Sequence, residues 1–324
     1  GFAAYALEHN TTGKDLAAFG YAALGSNTTG SYNASTGSFS LYNNTTGSNN
    51  AAFGYRALYD NNDGYDNCAF GSEALYSLLG GYRNTAIGRQ ALYASGINID
   101  NTSVGYQAGH ECVGSGNTYI GSEAGQWSTE GSYNCFIGAA TGVNNVTGYY
   151  NTILGGEAQV STSALHNATA LGYNAFVNTS NKIRLGNSSV TVIEGTVNYT
   201  VSDGRFKTNI TEEVKGLDFI SKLRPVVYNF EAKKFDEFLG SGNTSGNGAT
   251  STSLDYSQAE NIRYSGFIAQ EVEQAAKESG YDFNGVHVPE NSQDNYSLAY
   301  AEFVVPLVKA VQEQQEIIEI QKME

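Results

Sequence analysis

Ser202 and Lys207 stand five residues apart in the segment Ser202-Asp203-Gly204-Arg205-Phe206-Lys207-Thr208-Asn209-Ile210. A serine hydroxyl is a poor nucleophile until a nearby base takes its proton. A lysine amine is such a base once desolvation lowers its pKa. Spacing alone favours a plainer reading, in which Ser202-Asp203 caps a helix and Lys207 is a solvated charge. Other side chains able to do chemistry are sparse. A glycosidase needs a carboxylate pair in a cleft. The candidates within residues 1–201 are Asp60, Asp63, Asp66, Glu73, Glu111, Glu123, Glu130 and Glu157. Asp60, Asp63 and Asp66 share one loop but complete no calcium-ligand pattern, and they read as a solvated turn. Cys68, Cys112 and Cys135 read as buried small residues. With four scattered histidines and no Cys-x-x-Cys pair, neither a metal nor a cofactor is expected.

The elements around these residues follow from a ruler of ten glycines. Gly20, Gly37, Gly54, Gly71, Gly88, Gly105, Gly121, Gly138, Gly155 and Gly172 are 17 residues apart, except for one step of 16 from Gly105 to Gly121. A period this short and regular means one small unit stacked many times. The residue before the glycine is apolar in nine of ten units, with Thr36 as the exception. A small residue follows three positions later, and an asparagine precedes by four in eight units, from Asn33 to Asn151. Helix-pair repeats need roughly 33 to 47 residues, and two glycines per unit cost helices roughly 1 kcal/mol each. Short strands joined by glycine turns fit instead. The expected fold is mainly β: a parallel β-solenoid of about eleven coils, roughly 4.8 Å apart and on the order of 50 Å long. The apolar column is expected to face inward, and the asparagines to form a hydrogen-bonded ladder. Ala6-Leu7 repeats the pattern of Ala57-Leu58, so an eleventh unit is expected to begin before the chain does.

Composition divides the chain near residue 200. Residues 1–201 hold 18 charges and 29 of the 38 glycines, whereas residues 202–324 hold 31 charges and all three prolines. The expected domains are a repeat region over 1–180, a β connector over 181–201 and a smaller α+β domain over 202–324. In the connector, Ser189-Val190-Thr191-Val192 alternates as a strand does. Within the last domain, 240–253 reads as a flexible loop, and Asn261 to Glu278 as a strand entering a helix with Ile268, Val272 and Ala275 on one face. From Ala299 to Glu324, Val304, Leu307, Val311, Gln314, Ile318 and Gln321 keep the spacing of a short coiled-coil helix. A net charge of −15 argues against nucleic acid as a partner. No run approaches a membrane span. Sequons at Asn10, Asn27, Asn44, Asn101, Asn145, Asn187 and Asn198 are what chance yields in a chain this rich in Asn, Ser and Thr.

The 202–210 segment, with Leu217–Phe230, Gly266–Glu273 and Tyr296–Val311 in that order, resembles the endosialidase-type intramolecular chaperone. That family comprises self-cleaving C-terminal domains of phage tail fibres and tailspikes. The resemblance implies a Ser202–Lys207 dyad, cleavage at Ser202–Asp203, supporting roles for Asp203 and Asn209, and a homotrimer. Asn84-Thr-Ala-Ile-Gly88-Arg-Gln-Ala-Leu92 in turn resembles the head repeats of trimeric autotransporter adhesins, which are trimeric parallel β-rolls. The expected function is a structural, adhesive, extracellular fibre that binds a host-surface receptor or glycan. The alternatives are a cell-surface filament using the same chaperone and a polysaccharide-degrading tailspike.

Overall fold

The computed structural model describes residues 3–193, 202–239, 254–292 and 294–324. The 240–253 loop and the Asn198 sequon lie outside these residues. The chain forms two compact units. One takes in residues up to 187 and, of the described residues, 235–239; the other takes in 188–234 and 254–324.

The first unit is a β-solenoid of about ten coils. Its strands are β1 (Ala17–Phe19), β2 (Ala34–Thr36), β3 (Ala51–Phe53), β4 (Cys68–Phe70), β5 (Thr85–Ile87), β6 (Thr102–Val104), β7 (Thr118–Ile120), β8 (Cys135–Ile137) and β9 (Thr152–Leu154). After β10 (Gln159–Val160) come β11 (Thr169–Leu171), β12 (Phe176–Val177) and β13 (Ile183–Leu185). β1–β9, β11 and β13 form one eleven-stranded parallel sheet, and β10 pairs with β12. Register runs one coil at a time: Ala17 pairs with Ala34, Ala34 with Ala51, and Ala51 with Cys68.

The glycine ruler marks where coils touch backbone to backbone. The ten glycines have φ between +118° and +145°, a region that side chains rarely allow. A Cβ on Gly71 would also lie 2.4 Å from the Gly88 carbonyl oxygen, and one on Gly88 the same distance from that of Gly105. Both conditions demand glycine from Gly20 to Gly155, and the positive φ alone does so at Gly172.

The apolar residue before the glycine faces outward, contrary to expectation. Side chains alternate along a strand, and the central one takes the inside: Ala52, Ala69, Ala86, Tyr119, Phe136 and Ile153 are fully buried. The third position therefore falls on the outer face, where Phe19, Phe70, Ile87, Ile120 and Leu154 stand 38–50% exposed. The core is filled instead from four residues after the glycine, by Leu24, Leu41, Leu58, Leu75 and Leu92. These leucines have φ of 49–53°, a left-handed conformation costing roughly 1–2 kcal/mol each, which burial of the side chain offsets at roughly 1.5–3 kcal/mol.

Size is traded within the coil. Where the leucine position holds Gly125 or Gly142, the central strand residue is Tyr119 or Phe136 rather than alanine. A Cβ on Gly125 would meet the Tyr119 ring at 2.5 Å, and one on Gly142 the Phe136 ring at 2.5 Å. In these coils one large side chain is placed on one wall or the other; the coil of Ser103 and Gly109 has one on neither, and that of Ile153 and Gln159 has one on both.

The expected asparagine ladder is present, built partly on backbone. The Asn50 N–H donates to Asn33 Oδ1 at 2.9 Å, while Asn50 Nδ2 donates to the Gly64 carbonyl at 2.8 Å. A second amide ladder links Asn10, Asn27, Asn44 and Asn61 through Nδ2 to Oδ1 bonds of 2.7–2.8 Å. The sequon asparagines Asn27, Asn44, Asn101 and Asn145 are fully buried. The 16-residue step leaves the sheet register intact, with Thr102 on Thr118, and is absorbed in the turn before Gly114, whose carbonyl accepts from Asn101 Nδ2 at 3.0 Å.

The strand expected at Ser189–Val192 does not form. The described part of that segment is a turn followed by irregular chain, and alternation without a neighbouring ladder does not make a strand. The last ladder in the stack belongs to β13.

The second unit holds α1 (Leu217–Ile220), β14 (Val226–Asn229), α3 (Ser257–Asn261), β15 (Arg263–Gly266), α4 (Ala269–Glu278), β16 (Val286–His287), β17 (Ser297–Leu298) and α5 (Val304–Met323); α2 (Ala232–Leu239) precedes α3. β14 pairs antiparallel with β15, and β16 with β17. Phe219, Val272, Ala275, Ala276, Phe283 and Phe303 form its core. Val272 and Ala275 face inward as the spacing required, whereas Ile268 ends up 41% exposed, just ahead of the helix. α5 packs against α1 and buries Pro306 and Ala310. The seam residues Val304, Leu307, Val311 and Ile318 remain exposed. No helix among the described residues is long and apolar enough to cross a membrane.

Candidate functional site

The structure brings Ser202 and Lys207 together. Lys207 Nζ donates to Ser202 Oγ at 2.7 Å. Between them lies a single 3-10 turn, Gly204–Phe206, after which the chain is extended again at Lys207. Asp203 caps the turn: its Oδ1 accepts from the Arg205 N–H at 2.9 Å, and the Arg205 guanidinium grips both carboxylate oxygens. The Lys207 N–H closes the turn on the Gly204 carbonyl at 3.2 Å. Arg205 holds the Asp203 carboxyl below the usual carboxylate range. Asn209 follows with φ of 54°, which turns the chain away.

Asp203 therefore serves the turn, and its carboxylate bonds run to Arg205. The Asp-x-Arg spacing was the available signal for this pair. The Asp203 cap and the Ser202–Lys207 hydrogen bond occur together in one segment. Ser202 and Lys207 are both exposed, as are Phe206 and Ile210 on the same segment. The desolvation that a lysine base requires is thus not supplied from within this chain's described residues. Downstream, Glu313 of α5 accepts the Leu217 N–H at 2.8 Å, tying the C-terminal helix to the start of α1. Nothing in the sequence marked that long-range cap.

Four of the eight other carboxylate candidates are drawn into structural contacts. Asp60 accepts from Asn43 at 2.7 Å, Glu73 from Gln90 at 2.8 Å, and Glu157 from the Tyr173 hydroxyl at 3.3 Å, while Glu111 meets His110 at 3.1 Å. These partners are amides, a phenol and an imidazole rather than second carboxylates. Among the described residues, no group of three or more His, Cys, Asp or Glu is placed to hold a metal. Cys112 is buried beside Tyr119 and Asn117, and burial pushes its thiol up to about 11. Cys68 and Cys135 are not buried as expected: each opens a strand on the outward side and is half exposed.

Fold and site together define a β-solenoid repeat protein whose second unit carries a hydrogen-bonded serine–lysine pair near its start. Residues 202–281 match the peptidase S74 family, chaperone of endosialidase, and the match begins at Ser202. It takes in α1 to α4, while the Tyr296–Val311 block lies beyond it. No curated protein and no solved structure matches this chain.

Proposed function

We propose that this chain is an extracellular, adhesive fibre protein of the tail-fibre kind, a homotrimer whose residues 202–324 direct assembly and then separate by self-cleavage at Ser202. The observation that carries the reading is the Lys207–Ser202 hydrogen bond of 2.7 Å at the first residue of a chaperone-of-endosialidase match, downstream of a β-solenoid. A parallel stack has many non-local contacts and folds slowly. A separately folding unit at one end aligns the chains first, and its removal makes the assembly kinetically irreversible.

In the proposed reaction Lys207, neutral and shielded from water, takes the Ser202 hydroxyl proton. The oxygen attacks the Ser202 carbonyl carbon of a neighbouring copy, the C–N bond to that copy's Asp203 breaks as the ester forms, and the lysine returns the proton to the departing amine. Water then hydrolyses the ester. Attack of Ser202 on its own carbonyl would close a strained four-membered ring; attack by the hydroxyl of a neighbouring copy avoids it. Neighbouring copies also supply the cover that the exposed pair lacks. Denaturing gels with intact mass test this. Wild type should yield fragments of about 200 and 120 residues, and Ser202→Ala and Lys207→Ala a single whole chain. An uncut wild type, or a cut Ser202→Ala chain, would refute the dyad.

A further inference from the structure

The outward face of the eleven-stranded sheet is uncharged from end to end, and its third positions are apolar in every strand but one. Each strand directs its first and third residues outward. The third positions read Phe19, Thr36, Phe53, Phe70, Ile87, Val104, Ile120, Ile137, Leu154, Leu171 and Leu185; the first positions are alanine, cysteine or threonine, ending in Ile183. Eleven strands with two outward positions each give twenty-two, and none is charged. Charges begin in the columns on either side, at Asp66, Arg83 and Asp100 and at Arg89. In a chain of net charge −15, an uncharged strip of this length is a surface kept dry. Phe19, Phe70, Ile87, Ile120, Leu154 and Leu185 are 38–50% exposed and Ile183 69%; with aromatic side chains at roughly 150–250 Å² and aliphatic ones smaller, the strip offers on the order of 600 Å² per chain. A standard protein interface buries about 800 Å² per partner.

We infer that this strip is the contact surface between copies of the chain, packed parallel and in register around a common axis. The inference rests on the homotrimer reading above and names the face that reading uses. Two observations point to a second copy as the occupant. The strip repeats once per coil over the whole stack, roughly every 4.8 Å for about 50 Å, and a partner must repeat at the same interval over the same length. Another copy of this stack does so by construction. The strip also sets a column of large residues beside a column of small ones, so the large column of one copy finds the small column of its neighbour.

Cys68 and Cys135 lie in the small column and make the test native to the chain. In a parallel, in-register assembly every Cys68 stands at one height and every Cys135 at another, four coils or about 19 Å away. The full-length protein would be weighed by native mass spectrometry, then probed with maleimide and, separately, oxidised with copper–phenanthroline. The expected result is a three-copy mass and labelling of Cys68 and Cys135 at least about 10-fold slower than in the variant Phe70→Asp/Ile137→Asp. Every interchain disulfide that forms should join cysteines at one height, Cys68 to Cys68 or Cys135 to Cys135, and never Cys68 to Cys135. A three-copy mass with both thiols freely labelled, or with Cys68–Cys135 links, overturns the strip and leaves the trimer standing. A one-copy mass overturns both.

Discussion

Exchanging the large and small walls of one coil tests how the core is filled. Phe136 is fully buried, its ring 5.4 Å from that of Tyr119, and Gly142 sits against it in the same coil. Phe136→Ala removes that ring and should cost about 3–5 kcal/mol through lost burial and the cavity left behind. Gly142→Leu alone forces a side chain into a space where even a Cβ stands 2.5 Å from the ring. It should cost about 1–3 kcal/mol for overpacking, with a further 1–2 or so for a left-handed leucine. Independent effects would sum to roughly 7 kcal/mol. The double variant instead rebuilds the arrangement that Ala52 and Leu58 already use, with Leu58 at φ of 51°. It should retain only the left-handed cost, roughly 1–2 kcal/mol, so the coupling is at least about 3 kcal/mol. Urea unfolding of the full chain, with hydrogen exchange of amides 135–158 as the local readout, measures all three variants. A double variant as unstable as the sum of its parts would show that the coil does not hold one interchangeable volume.

Other outcomes follow from the same geometry. Gly71→Ala should cost about 3 kcal/mol or more, through backbone strain and the 2.4 Å approach to Gly88. Gly204→Ala, with nothing within 4 Å of its added Cβ, should shift stability by less than about 0.5 kcal/mol in the same melt. Asn44→Ala strips Asn27 Oδ1 and the Gly47 carbonyl of a donor and Asn61 Nδ2 of an acceptor, and should lower stability by about 1–3 kcal/mol in urea unfolding. Because the Asp203 carboxyl is depressed by Arg205, the cap is present above the ordinary aspartate range and is lost as pH falls through the lowered value. An NMR titration should show that midpoint rise in Arg205→Ala. Cys112, its thiol pushed up to about 11, should resist alkylation at pH 8 until the chain unfolds, as labelling with and without urea would reveal.

The stack was legible in the sequence because a 17-residue period is a geometric statement. Gly20 to Gly172 mark the positions where neighbouring backbones touch. Which face is inside was not legible. An apolar residue at the end of a three-residue strand looks like core, yet the inside is set by the strand's centre, and in early coils the centre is only alanine or, in Ser35, serine. The true core residues, Leu24 to Leu92, stand in turns with positive φ, where no alternation points to them. The Ser202–Lys207 contact spans a three-residue turn with extended residues on either side, a geometry that no helical or strand period encodes. The pairing of Asp203 with Arg205 was readable locally. The Glu313 cap on Leu217, 96 residues apart, depends on tertiary packing that no local pattern encodes.

The 16-residue coil has a wider implication. One residue is missing before Gly114, yet strand register, glycine contact and asparagine ladder continue unbroken on both sides. Each coil therefore consists of an inflexible track, where neighbours interlock, and a corner whose length is free. The corners still bond from coil to coil, the Thr28 N–H to the Thr45 carbonyl at 2.9 Å and the Val113 N–H to the Thr129 carbonyl at 2.7 Å, through backbone atoms that a change of side chain leaves in place. A scaffold of this kind can replace its outer decoration corner by corner, acquiring new recognition while its architecture stays constant.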